Sequence, residues 1–254
     1  MALCFLALFT ASLLLPENVC MEIIGGKEAK PHSRPYMALI NTKGCMCGGT
    51  LIDSSWVLTA AHCTINASTT IILGLHFLRN QGQSVQKFKA LQWFTHDYDN
   101  KTEDNDVQLV KLSGKAKLNK AVKPLKLPTT SSDVKAGTIC ESAGWGITRN
   151  DVSIASDKLM EVSLPVISRE KCAAMWYPRV ITENMMCTLY ANGGKDTCRG
   201  DSGGPLICQG KFRGVVSFGP DRCGDPQRPA VYAFLTKDHI NWIKRQIKKK
   251  LSLF

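Results

Sequence analysis

Gly200-Asp201-Ser202-Gly203-Gly204-Pro205 sets a serine between an acid and two glycines, with Cys198 and Cys208 on either side. The glycines let the backbone turn tightly and approach a ligand where a Cβ would obstruct it. A nucleophilic serine needs an exposed hydroxyl and nearby N–H groups aimed at a developing oxyanion. Alone, the hexapeptide also fits a Gly-Pro surface turn with an incidental serine. Outward from it, Thr59-Ala60-Ala61-His62-Cys63 places a histidine at the end of an apolar run. Asn105-Asp106-Val107-Gln108-Leu109-Val110 places an aspartate at the head of a strand. Singly, such a histidine is usually structural and such an aspartate a cap. In the order His–Asp–Ser, with these flanking words, they form a specific set.

The chain has 254 residues, enough for one large domain or two small ones with a full core. Its 44% hydrophobic and 21% charged residues argue against disorder. The net charge of +11 is the outlier and draws the molecule to polyanions such as nucleic acid, heparin-like glycans or anionic membrane. Zinc-finger spacing, a phosphate-cradling glycine loop and basic–aromatic interleaving are all missing, so nucleic acid is not expected as a specific partner. The acids of 97–106 lack a ligand rhythm, and no metal or cofactor is expected.

Residues 1–20, MALCFLALFTASLLLPENVC, hold an apolar run closed by Pro16. It is too short to span a bilayer comfortably and lies at the extreme N-terminus, so a signal peptide and secretion are expected. Of the 11 cysteines, Cys4 and Cys20 fall in that segment. The others are Cys45, Cys47, Cys63, Cys140, Cys172, Cys187, Cys198, Cys208 and Cys223. An oxidising compartment should pair most of them, and because their number is odd, one is free or bonded between chains. Asn66-Ala67-Ser68 and Asn100-Lys101-Thr102 become candidate glycosylation sites in an exported protein.

Short apolar or alternating runs separated by Gly, Asn, Asp or Ser predict antiparallel strands: 36–40, 50–52, 56–59, 71–73 and 107–112. Lys123-Pro124-Leu125-Lys126-Leu127-Pro128 and the polar stretch to Gly137 read as a connector between halves. The rhythm resumes at 138–143, 160–164, 211–217 and 230–234. Helical spacing occurs over 168–175, with Ser168 as N-cap, and from Thr236 onward, where Ile240, Ile243, Ile247 and Leu251 share a face. The other face of that tail carries Lys237, Lys244, Arg245, Lys248, Lys249 and Lys250. It reads as a solvated face whose end could bind anionic glycan.

With these words in place, residues 23–247 resemble the trypsin/chymotrypsin family of serine endopeptidases. The resemblance implies an all-β fold of two antiparallel six-stranded barrels with a C-terminal helix. It divides the chain into signal peptide 1–20, activation dipeptide 21–22 and protease domain 23–254, the barrels meeting near residue 125. It makes His62 the general base, Asp106 the residue that holds its tautomer, and Ser202 the nucleophile of an acyl-enzyme mechanism, with the N–H groups of Gly200 and Ser202 as the oxyanion hole. Ser217 matches the serine that bonds the buried aspartate, and Ser217, Gly219 and Ala230 belong to the substrate pocket. Asp196, six residues before the serine, matches the pocket acid that pairs with substrate Arg or Lys. Family members that cut after Arg or Lys carry Pro-Gly-Val-Tyr where this chain has Pro229-Ala230-Val231-Tyr232, and the Ala230 methyl is expected to crowd a long basic side chain. Arg199 beside the oxyanion hole suggests either a preference for acidic residues near the cut or a solvated arginine.

The resemblance also implies activation by a new α-amine at Ile23 of Ile23-Ile24-Gly25-Gly26, pairing with Asp201. Glu22 precedes it, so removal of Met21-Glu22 by a dipeptidyl peptidase is expected rather than a trypsin-like cut. Four family bridges carry over: Cys47–Cys63, Cys140–Cys208, Cys172–Cys187 and Cys198–Cys223, with Cys45 left over. Pro31-His32-Ser33-Arg34-Pro35-Tyr36-Met37, the run Phe212 to Gly219, and Cys223-Gly224-Asp225-Pro226 look like granzymes of the A type. Met-Glu before Ile-Ile-Gly-Gly looks like the K type. That branch implies granule storage on acidic proteoglycan, cytotoxic lymphocytes as source, protein substrates and serpin-type inhibitors. The disulfide-linked dimer of the A type uses a cysteine near where this chain has Asp97, so a monomer with Cys45 unpaired is expected. An ordinary extracellular protease and a cationic binding module that has kept the fold are the competing readings.

Overall fold

The runs of apolar residues between turn formers become, in this computed structural model, short antiparallel strands and two helices. It describes residues 23–251 apart from 43–45, 80–81 and 152–153. The expected signal peptide, the dipeptide Met21-Glu22 and Cys45 lie outside the described residues.

The first barrel closes β2 (Met37–Asn41), β3 (Met46–Asp53), β4 (Trp56–Thr59), β5 (Thr70–Leu73), β6 (Gln86–Thr95) and β7 (Gln108–Leu112) in the order β2-β3-β4-β7-β6-β5. Ile40, Leu51, Val57, Leu58, Ile71, Leu109 and Val110 are fully buried in the core cluster formed on and around its wall. Each contributes roughly 1.5–3 kcal/mol relative to exposure. β6 alternates inward and outward along its length because only one of its faces meets the barrel interior.

A second sheet holds β1 (Lys27–Glu28), β8 (Ile139–Gly144), β9 (Met160–Ile167), β10 (Met185–Thr188), β11 (Pro205–Cys208), β12 (Lys211–Phe218) and β13 (Ala230–Phe234). β8 pairs with both β11 and β9, which closes six of these strands into the second barrel, and β1 is added at the edge of β9. Helix α1 (Arg169–Trp176) starts at Ser168, whose side chain accepts the Lys171 N–H as the sequence pattern predicts. β6, β10 and β11 are strands that the apolar pattern does not predict; β6 mixes charge with its apolar positions, and β10 and β11 are four residues each.

Helix α2 (Lys237–Leu251) ends the described chain. It returns to the first barrel: Trp242 and Ile243 enter the same core cluster as Val57 and Leu109. His96, just after β6, stacks on Trp242 at 5.1 Å between ring centres. The buried face therefore carries His239 and Trp242 as well as Ile240 and Ile243. Cys47–Cys63, Cys140–Cys208, Cys172–Cys187 and Cys198–Cys223 are all formed. Each constrains the unfolded chain by about 2–4 kcal/mol.

Candidate active site

Asp106 stands at the mouth of β7 and is completely buried, yet its carboxylate is fully engaged. Oδ1 accepts the His62 main-chain N–H at 2.9 Å. Oδ2 accepts from the His62 ring Nδ1 at 2.7 Å and from Ser217 Oγ at 2.6 Å. Three donors from two separate parts of the chain, His62 and Ser217, thus fix one carboxylate, and it in turn fixes the imidazole. Burial alone would pull the His62 pKa down; the hydrogen bond and charge of Asp106, with Glu103 added, outweigh it and raise the pKa above the ordinary histidine value. A ring held this way through Nδ1 leaves Nε2 to take a proton.

The loop that delivers Asp106 is wound tightly. Asp97, Glu103 and Asn105 all have positive φ, at 49°, 60° and 54°. Such backbone persists only where its surroundings hold it. The Asn105 amide donates to Asp97 O at 3.2 Å, and its Oδ1 lies 3.0 Å from His239 Nε2 on α2. Asp104 ties the loop to the second barrel by accepting from Thr182 Oγ1 at 2.6 Å and Asn184 Nδ2 at 3.2 Å. Glu103 pairs with Arg179, whose guanidinium lies 3.6 Å from the Phe218 ring centre.

Ser202 lies on the turn before β11, and its cavities open on both His62 and Ser217. Gly203, at φ 82°, has no room for a side chain: a Cβ would collide with Thr59 Oγ1 and Gly48 O. The Gly48 N–H donates to Ser202 O at 2.7 Å, and Gly203 N–H to Val216 O at 2.8 Å, which pins the serine between the two barrels. Gly200 has φ 98°, a conformation that turns its peptide as side-chain-bearing residues rarely can. Among the described residues, neither the Gly200 nor the Ser202 N–H donates to a protein acceptor. Both remain available to an oxyanion.

A cavity of about 210 Å³ opens beside Ser202, walled by Thr197, Cys198, Ser217, Gly219 and Cys223. Asp196 and Ala230 lie behind these walls, 4% and 3% exposed. Ala230 packs in the second-barrel core beside Val216 and Tyr232, and its Cα would lie 3.9 Å from a Cβ on Gly219. Asp196 accepts the Gly224 N–H at 2.9 Å. Burial, against two backbone hydrogen bonds, pushes its pKa up to about 7.

Asp201 is a second buried acid. It accepts from Gly146 N–H at 2.8 Å and Cys198 N–H at 2.9 Å, and complete burial still lifts its pKa to about 7. A Cβ on Gly144 or Gly146 would run into its carboxylate. Met160 faces Gly144 across the β8–β9 ladder and packs against Ile23, itself fully buried with Val162 and Leu164. The first described residue and the acid before Ser202 thus converge on one strand end.

The sequence comparisons agree with this geometry. The trypsin family's sequence model matches residues 23–243, nearly the whole described chain. The chain belongs to the trypsin family. It is 45% identical to granzyme A of Bos taurus over 233 residues, 90% of this chain and 89% of that protein. It is 38% identical to serine protease 1 of Homo sapiens, covering 96% of this chain and 97% of that one. Trypsin I-P1 of Gallus gallus is 41% identical over 88% of each. The trypsin-family chain is accordingly a serine protease, a hydrolase acting on protein substrates.

Asn66 and Asn100 are both exposed. Cys47, His62 and Cys63 bring ligand-type atoms close together, but the two cysteines are disulfide-bonded and their sulfurs are not free thiolates. Among the described residues, no helix is long and apolar enough to cross a membrane. The sequence reading did not find Gly48, Asn105, His239 or the Glu103–Arg179 pair. Each acts on a partner far away in the chain, and only Asn105 sits in a recognisable word, as the residue before Asp106.

Proposed function

We propose that this trypsin-family protease cleaves after Arg or Lys. Ser202 attacks the scissile carbonyl while His62 takes its proton, and Asp106 holds the ring and stabilises the imidazolium. The N–H groups of Gly200 and Ser202 receive the oxyanion, each such donor being worth roughly 3–4 kcal/mol of barrier. His62 then protonates the leaving amine, and water attacks the acyl-enzyme by the reverse path. The observation that carries the specificity is Asp196: a buried, sparsely hydrogen-bonded carboxyl behind the cavity that adjoins Ser202. The disulfide Cys198–Cys223 and the residues Ser217 and Gly219 hold that cavity's walls.

The enzyme is made as a precursor with signal peptide 1–20, and removal of Met21-Glu22 frees the Ile23 amine for Asp201. The protein is secreted or stored in cytolytic granules, held on acidic proteoglycan and serving in lymphocyte killing. Support for this comes from the +11 charge, the basic face of α2 and the likeness to granzyme A. Serpin-type inhibitors are the expected regulators, and the protein acts as a monomer.

The test is hydrolysis of small thioesters bearing Arg, Lys, Phe or Asp at the cut, by protein beginning at Ile23, beside a Ser202→Ala control. Turnover with Arg or Lys that disappears in the control is the expected result. Turnover only with Phe or Asp would overturn the specificity. Silence with all four from folded protein would favour a cationic binding module.

A further inference from the structure

A second cavity, of about 440 Å³, also meets Ser202. It is lined by Met46, the Cys47–Cys63 bridge, His62 and, at its rim, Asn66. Asn66 opens one of the two sequons, and its surroundings are rigid. Its N–H donates to Thr69 Oγ1 at 3.0 Å, and its carbonyl accepts the Thr69 N–H at 3.0 Å. The preceding Ile65 and Cys63 are buried in the first-barrel core. The side chain, in contrast, is exposed. Its Oδ1 accepts from Ser68 N–H at 2.9 Å and Ser68 Oγ at 2.6 Å, while Nδ2 has no protein partner among the described residues. A fixed stem thus presents a free amide nitrogen at the edge of the cleft.

On the reading above, the residue before the cut enters the cavity backed by Asp196. The leaving-group half of the substrate then departs on the opposite side of Ser202, over the Cys47–Cys63 cavity. We propose that Asn66 carries an N-linked glycan that screens this leaving-group side, admitting small or unfolded substrates and slowing folded proteins and protein inhibitors. Attachment joins Asn66 Nδ2 to the anomeric carbon of a lipid-pyrophosphate-linked oligosaccharide. The bond to pyrophosphate breaks, and the amide proton leaves to solvent, so no oxidant or reductant is needed. The resulting group is bulky and hydrophilic, and its root cannot swing away because the turn below it is pinned. Asn100 provides the comparison: its turn is fixed by Lys101 N–H and Thr102 Oγ1 donating to Asp99, and it lines neither cavity.

The test uses the full chain secreted from a glycosylating cell and trimmed to Ile23, as wild type, Ser68→Ala and Asn100→Gln. Ser68→Ala removes the sequon and leaves Asn66 in place; Asn66→Gln serves as a second variant should that one fold poorly. Intact mass, the association rate of a Kunitz-type inhibitor with a basic residue in its reactive loop, and hydrolysis of an Arg thioester are measured on each. Ser68→Ala should lose one glycan and bind the inhibitor at least about threefold faster, with thioester kcat/KM changed by less than about twofold. Asn100→Gln should lose its glycan without altering either rate. An unchanged mass in Ser68→Ala overturns the proposal, and so does inhibitor association that is equal in all forms or undetectable in all. Absence of thioester hydrolysis in every form refutes the protease specificity instead, and the inhibitor rates still decide the screening role.

Discussion

Asp201 offers the sharpest test of the activation reading, because its environment sets both a magnitude and a sign. Its carboxyl is completely buried, with two backbone N–H groups as partners, and its pKa rises from 3.8 to about 7. At about 1.4 kcal/mol per unit, holding it ionised without a counter-charge costs about 4 kcal/mol. Because the folded pKa is raised, the favourable contribution is complete below 3.8 and is lost as pH rises through about 7. A chain that still carries Met21-Glu22 bears this loss in full at pH 7.5. A chain beginning at Ile23 supplies an ammonium to the same site and recovers it. At pH 5 only about 1.6 kcal/mol of that cost has accrued, and below 3.8 the amine would gain nothing. The trimmed form should therefore exceed the untrimmed one by about 4 kcal/mol at pH 7.5 and keep less than half of that advantage, about 1.6 kcal/mol, at pH 5. For a domain of this size that corresponds to a difference in Tm of roughly 8–16 °C. Scanning calorimetry on both forms, each carrying Ser202→Ala to prevent self-digestion, measures it. Asp196 also titrates in this range, but it does so in both forms and cancels in the difference. Asp201→Asn should abolish the gap at pH 7.5. Equal Tm values at pH 7.5, or a gap that is the same at both pH values, would refute the reasoning.

Asp196→Asn should lower kcat/KM for Arg thioesters by roughly 10²–10³-fold, since it leaves a buried substrate cation unpaired, while leaving Phe substrates little changed. Ala230→Gly should relieve crowding at the cavity base and raise kcat/KM for Arg by about tenfold, within the 1–3 kcal/mol typical of overpacking; an unchanged or lower value would show that the methyl is tolerated. The raised pKa of His62 predicts that kcat/KM falls on the acid side with a midpoint above the ordinary histidine value, because the base must be neutral. Asp106→Asn should cost roughly 10⁴-fold in kcat with little change in Tm-independent substrate binding, read from KM. Losing the same factor in Ser217→Ala would mean that the hydroxyl, and not only the carboxylate, sets the ring.

Much of the site was legible in the chain because catalysis constrains short words. Gly200-Asp201-Ser202-Gly203-Gly204 is one continuous turn in which Gly200 and Gly203 take positive φ, and Gly203 has no space for a Cβ against Thr59 and Gly48. Strands such as Trp56–Thr59 and Ala230–Phe234 are continuous apolar runs bounded by turn residues, and they appear where the pattern puts them. β6 was missed because half its residues face solvent and its charges break the apolar rhythm.

What the chain by itself determined is chemical identity: a serine, a histidine and an aspartate in family order, two acids near the serine, and cysteines enough for four bridges. Tertiary structure alone decided which of these groups share an environment. Asp106 gains Ser217 as a donor only because β12 of the second barrel brings it there, 111 residues away in the chain. Asn105 meets His239 only because α2 returns across the molecule. Asp196 and Asp201 are ordinary carboxylates in the sequence; burial, of Asp201 against Gly144 and Gly146, raises the pKa of both to about 7. Desolvation depends on how completely distant segments exclude water from a side chain, and no local pattern of residues encodes that.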